Sequence, residues 1–203
     1  MLYVPSKATY IKKDQGKSFA YKNEDRLAML GAVAEHNPWM EVIDHEIFAD
    51  AQPRTYDTLC YLRDHGYQPS LLFGSDKLIE LEHGWKHVEE IVTEFGIVCM
   101  CRGMDDVRQL ISDDPYLKSL SSGITMLETP VQLRRISSTT VRNILQQIQQ
   151  IRENSGQELS FESTPASSDL YTLIYTLKEL VPEEVAGIII RQGLTAGQIG
   201  GEQ

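Results

Sequence analysis

Short apolar runs that end in turn residues, separated by stretches of helical spacing, constrain this chain most. Ser70-Leu71-Leu72-Phe73 runs into Gly74-Ser75-Asp76, Gly96-Ile97-Val98-Cys99-Met100-Cys101-Arg102 is a second run, and Gly123 to Leu127 is a third. Apolar strands without polar alternation are those buried on both faces of a parallel sheet. Parallel neighbours need crossover connections, usually helices. Helical patterns do lie between the runs: near Thr55 to His65, closed by Gly66, then at roughly 76–82 and 86–94. The pattern predicts an α/β fold with a doubly wound, Rossmann-like parallel sheet.

The flanks extend this reading. Leu2-Tyr3-Val4-Pro5 reads as the end of a strand, and residues 6–22, polar and basic, as a loop. Asn23 is the expected N-cap of a helix, with Glu24 and Asp25 in its first turn and Leu27, Leu30, Val33 and Ala34 at helical spacing. Asn37-Pro38 stops that helix, and Trp39 to Ile43 reads as a strand. Beyond Ile136, Ser137-Ser138-Thr139-Thr140 opens a helix to about Arg152. Residues 153–168 are polar and turn-rich, a surface insertion or linker. Two helices at about 169–180 and 182–192 give a helical C-terminal part, with Pro182 in a first turn and Gly193 as closing residue. The expectation is one domain over 1–203.

Bulk chemistry excludes some functions. A net charge of −10 argues against a general nucleic-acid binder, which needs a broad basic face. No apolar run approaches the roughly 18 residues that span a membrane. The first residues carry no apolar export core. Three cysteines, Cys60, Cys99 and Cys101, are too few and odd in number for a disulfide framework, and argue for a reducing compartment. The expected location is the cytoplasm, or the nucleus in a eukaryote. Cations nevertheless cluster locally, at Lys12, Lys13 and Lys17 and at Arg134, Arg135 and Arg142, which suits a small anionic ligand.

Ligands of open α/β sheets bind beyond the carboxyl ends of the strands. Gly74-Ser75-Asp76 falls there: Asp76 either accepts hydrogen bonds from a ribose or caps the following helix. Ser137, Ser138, Thr139 and Thr140 gather hydroxyls and free amides at a helix start, with Arg142 one turn inside. That set either holds phosphate oxygens or is an ordinary cap with a solvated arginine. Lys12, Lys13 and Lys17 either meet a triphosphate or form a solvated loop. Trp39 and Trp85, the two tryptophans, either stack on a flat ring or pack in a core. His83 and His87 lack a third ligand at useful spacing, and Cys99-x-Cys101 lies on a strand, so no metal site is expected.

A series of short matches runs in order along the chain. It comprises Tyr10-x-Lys12-Lys13, Arg26-x-x-Met29-Leu30, Pro38-Trp39-x-Glu41-Val42 with Glu46, and Thr58-Leu59. It continues with Gly74-Ser75-Asp76, Gly84-Trp85-Lys86, Phe95-Gly96-Ile97-Val98-Cys99 through Arg102, Ile136-Ser137-Ser138-Thr139-x-Val141-Arg142, and Leu180-Val181-Pro182-Glu183 to Gly193-Leu194. The series resembles the nicotinamide/nicotinate-mononucleotide adenylyltransferases of the nucleotidyltransferase superfamily. It covers nearly the whole chain except about 146–178, which stands out as a family-atypical insertion.

The resemblance implies adenylyl transfer from ATP to a pyridine mononucleotide, with Mg²⁺ arriving on the ATP. It implies Lys12 and Arg142 at the phosphates, Gly74, Asp76, Arg102, Ser137, Ser138 and Thr139 around the ATP, and Trp39, Glu46, Thr58 and Trp85 around the mononucleotide. The family's opening strand and its Gly-x-Phe-x-Pro…His-x-x-His-type phosphate segment have no counterpart in these 203 residues. That strand belongs centrally in the sheet, so the expectation includes an exposed sheet edge at which a second copy or a partner chain could pair. It also keeps open a second reading, a non-catalytic nucleotide-binding or regulatory homologue.

Overall fold

Leu2–Tyr3 (β1) pairs in parallel with Glu41–Val42 (β2), in the register Leu2 to Glu41 and Tyr3 to Val42. The computed structural model describes residues 1–13, 21–101, 106–130, 133, 136–155 and 168–191. The chain divides into two compact units, residues 1–52 with 137–203, and residues 53–136.

In the first unit β1 leads through Ser6 and Lys7 into a helix, Ala8–Lys13 (α1). A loop is expected there, and the expectation fails for a physical reason. The segment has no acidic residue in its first turn, and its capping groups come from elsewhere in the sequence: Gln52 Oε1 accepts from the amide of Lys7 and Asn23 Oδ1 from that of Ala8, both at 2.9 Å. Asn23 is therefore occupied. It is the first residue of the next helix, Asn23–His36 (α2), whose cap position falls to Lys22 without a side-chain bond. Strand β2 is shorter than the Trp39–Ile43 expected, since β1 offers two residues to pair with. His45–Phe48 (α3) follows. The later half of this unit is helical: Ser138–Ser155 (α10), Ser168–Leu180 (α11) and Glu183–Arg191 (α12). Met29 of α2, Ile144, Leu145 and Ile148 of α10, Leu170 and Leu177 of α11, and Ile189 of α12 form one buried cluster. Residues 156–167 of the polar linker, Lys17 and Gly193 lie outside the described residues.

The second unit carries the three apolar runs as strands, Leu71–Gly74 (β3), Ile97–Met100 (β4) and Ile124–Leu127 (β5), ordered β3-β4-β5 and parallel throughout. Thr55–Asp64 (α4) precedes β3, and Ser75–Leu78 (α5), Leu81–Gly84 (α6) and Val88–Glu90 (α7) follow it. The stretch expected as one helix over 86–94 is instead α7 running into a π-helical turn, Ile91–Phe95, closed by a bond from Gly96 N to Ile91 O at 3.0 Å. That turn carries Glu94, whose carboxylate accepts from the Tyr56 hydroxyl at 3.0 Å and from Arg63 at 2.8 Å and so ties α4 to it. Leu78, Leu81, Ile91, Ile97, Cys99 and Val107 centre its core.

In this unit Val107–Asp113 (α8) and Pro115–Leu120 (α9) are helices that the sequence reading does not contain. Both had start signals in plain view. The Asp106 side chain accepts from the amides of Arg108 and Gln109, and that of Asp114 accepts from Tyr116 and Leu117 at 2.8 and 3.1 Å, with Pro115 at the first helical position. Asp114→Ala removes the second cap at a cost of about 1 kcal/mol. For a chain of this length that lowers Tm by about 2–4 °C. Thermal unfolding followed by circular dichroism reads it, and an unshifted Tm would mean that water replaces the carboxylate at no cost.

Candidate functional site

The carboxyl end of β3 turns as its sequence demands. Gly74 ends the strand in an extended conformation, φ −84°, ψ 158°, and is the cap position of α5. Ser75 is 1% exposed, which anchors the turn, while Asp76 faces solvent in the first turn of α5. An acid there is favoured by the amides of the helix start. At the carboxyl end of β4, Cys101 is buried and donates its amide to Leu127 O at 3.2 Å. Arg102 lies outside the described residues. Thr58 is buried on α4 beside Leu59 and Leu62. Trp85 packs half-buried against Phe73, ring centroids 5.8 Å apart and tilted by 55°, so its indole props the core of the second unit. Trp39, in contrast, is 55% exposed in the turn between α2 and β2, and a flat apolar face in solvent is free to stack on another ring.

The start of α10 belongs to the first unit. Ser137 Oγ accepts from the amide of Thr140 at 3.1 Å and lies 3.0 Å from its hydroxyl, which makes Ser137 the cap. Val141 N to Ser137 O, 3.2 Å, is the first main-chain bond here, so the amides of Ser138 and Thr139 precede it. Arg142 Nη2 donates to Ser138 Oγ at 2.6 Å, folding the guanidinium back toward the helix start. The hydroxyls of Ser137, Ser138 and Thr140, early amides and a guanidinium thus gather at the positive end of an 18-residue helix. Such a set binds oxyanions. Arg134 and Arg135 lie outside the described residues.

Glu46 is 7% exposed on α3, and its Oε2 accepts from Ser6 Oγ at 2.9 Å and Gln52 Nε2 at 2.5 Å. Arg26 of α2 donates to Ser6 O. Burial pulls the Arg26 guanidinium below its ordinary pKa, and the nearby Glu46 carboxylate pulls it part of the way back; arginine stays charged under either influence. Ser6, Arg26 and Gln52 escape a sequence reading as site residues, because each has a partner 20 to 45 positions away that only folding brings near. Lys12 lies on α1. Among the described residues no group of His, Cys, Asp and Glu is arranged to hold a metal ion, and no helix is long and apolar enough to cross a membrane.

A family model described as cytidylyltransferase-like matches residues 3–144. A protein of Caldicellulosiruptor bescii named probable nicotinate-nucleotide adenylyltransferase is 31% identical over 132 residues, covering 63% of this chain and 64% of its own length. A protein of Cytophaga hutchinsonii with the same name is 28% identical over 152 residues, covering 74% of this chain and 72% of its own. The chain thus spans slightly less than two thirds of the first of these relatives. Among solved structures, Plasmodium falciparum nicotinic acid mononucleotide adenylyltransferase complexed with APC superposes with a TM-score of 0.56 at 16% identity, covering 95% of this chain and 80% of that one. That likeness is one of fold.

Proposed function

Since the chain belongs to the cytidylyltransferase-like family, we propose that it transfers the adenylyl group of ATP to nicotinate or nicotinamide mononucleotide. A 5′-phosphate oxygen of the mononucleotide attacks the α-phosphorus of ATP. The bond from that phosphorus to the α,β-bridging oxygen breaks, and pyrophosphate leaves with both electrons of the bond. The products are the dinucleotide and pyrophosphate. This chemistry needs in-line placement and charge stabilisation, with no covalent catalyst.

The observation that carries the reading is the start of α10, where Ser137, Ser138, Thr139 and Arg142 present donors and one fixed positive charge. These would take the triphosphate. Lys12 and Arg102 would add positive charge, and Gly74 and Asp76 would face the adenosine. The exposed indole of Trp39 supports a stacking role on the pyridine ring. Trp85 and Thr58 are both turned into the second unit, so their part in mononucleotide binding rests on the resemblance alone, and Glu46 would act through the residues it binds. The donor set at α10 is hydroxylic and cationic, which suits phosphate oxygens and leaves Mg²⁺ to be carried by the nucleotide. Because relatives carry a nicotinate-nucleotide name, nicotinate mononucleotide is the favoured acceptor.

The test is direct. The full chain, Mg-ATP and either mononucleotide should release pyrophosphate and form the matching dinucleotide, faster with nicotinate mononucleotide. ATP binding without any pyrophosphate release would favour a nucleotide-binding homologue, and no ATP binding would end the reading.

A further inference from the structure

The entry of helix α1 is held by side chains from outside it. Six residues are too few for a helix to sustain itself in water. Three consecutive residues at its entry are each gripped from elsewhere. Ser6 gives its carbonyl to Arg26 and its hydroxyl to Glu46, Lys7 gives its amide to Gln52, and Ala8 gives its amide to Asn23. Gln52 is the hinge of the set: its Oε1 takes Lys7 N while its Nε2 donates to the same Glu46 oxygen that Ser6 uses. Glu46, 7% exposed, is a carboxylate drawn out of water, with the Arg26 charge nearby. If stability alone were needed, apolar packing would serve as well as a buried ionic network. What a satisfied polar network supplies in addition is one defined geometry.

Resting on the adenylyl-transfer reading, we infer that Gln52, Glu46 and Arg26 are positioning residues which fix the entry of α1 and so set the direction of the helix that carries Lys12. They act through Ser6 and Lys7, not on the nucleotide.

The experiment is a double-mutant cycle on Mg-ATP binding, using Gln52→Leu, which keeps volume and removes both bonds, with Lys12→Ala. The expected result is a loss of about five-fold for Gln52→Leu in the parent chain and none in the Lys12→Ala background, the mark of two residues acting as one device. Amide exchange over residues 7–13 should speed up in Gln52→Leu while α10 and α11 stay protected. Asn23→Ala, which frees only Ala8 N, repeats the cycle should Gln52→Leu not fold. Equal losses in both backgrounds, or unchanged exchange over 7–13, overturn the positioning role in a chain that binds ATP. Failure of the unsubstituted chain to bind Mg-ATP overturns the adenylyl reading itself, and the inference with it.

Discussion

Arg142→Ala weakens Mg-ATP binding by about 10- to 100-fold and leaves Tm nearly where it was. The size follows from what the guanidinium can do. Hydrogen bonds between charged partners contribute roughly 1.5–3 kcal/mol each, and every 1.4 kcal/mol or so is ten-fold in affinity. In the free protein Arg142 meets Ser138 Oγ, an interaction on a solvent-facing helix start whose loss costs within about 0.5 kcal/mol of stability. The two effects therefore separate. Calorimetric titration gives the affinity and thermal unfolding the stability. Arg142→Lys should fall between parent and alanine, since it keeps the charge and loses the planar fork. If alanine leaves the affinity unchanged, the arginine does nothing beyond closing Ser138, and the start of α10 is an ordinary cap.

This site was half legible in the sequence, and the division has a physical basis. The cap at Ser137 and the placement of Arg142 one turn later are local, set by hydroxyl chemistry and helix pitch, so Ser137 to Arg142 read correctly as a helix start. The same holds for the three strands, whose runs at 70–73, 96–102 and 123–127 became Leu71–Gly74, Ile97–Met100 and Ile124–Leu127. It holds for the last two helices within a residue or so at the described ends. What failed was non-local. Helix α1 exists because Gln52 and Asn23 reach its entry, and no pattern within residues 8–13 announces that. Asn23 looked like a cap for its own helix and serves another. Glu46 is held by Ser6 and Gln52, contacts that its own stretch of sequence does not announce. Helices α8 and α9 differ in kind, since their start signals, Asp106 and Asp114-Pro115, are local.

The π-helical turn at Ile91–Phe95 also escaped the sequence, and it sets the largest stability effect expected here. Gly123 ends a short 3₁₀ turn, Ser121–Gly123, immediately before β5. A Cβ at position 123 would stand 2.4 Å from Val92 Cγ1 and 2.6 Å from Val92 O. The valine methyl could swing aside by a rotamer change, but the carbonyl belongs to a turn whose Ile91, Val92 and Phe95 are all buried. Overfilling of packed sites costs roughly 1–3 kcal/mol and more when backbone must move, so Gly123→Ala should lose about 3 kcal/mol or more. At about 2–4 °C per kcal/mol for a chain of this size, Tm falls by about 6–12 °C.

Gly96 gives the comparison. Its φ of +75° makes alanine strained, yet a Cβ there would be 3.6 Å from Gly123 O, an ordinary contact. Gly96→Ala should therefore cost only the conformational strain of a φ +75°, ψ 159° backbone, on the order of 1–3 kcal/mol. Ser122, exposed beside Gly123, should tolerate alanine within about 0.5 kcal/mol. The order Gly123, then Gly96, then Ser122 distinguishes backbone collision from backbone strain. A Gly123→Ala protein no less stable than Gly96→Ala would show that the π turn gives way, and that the close approach of Gly123 to Val92 is a convenience of packing and not a constraint on the sheet.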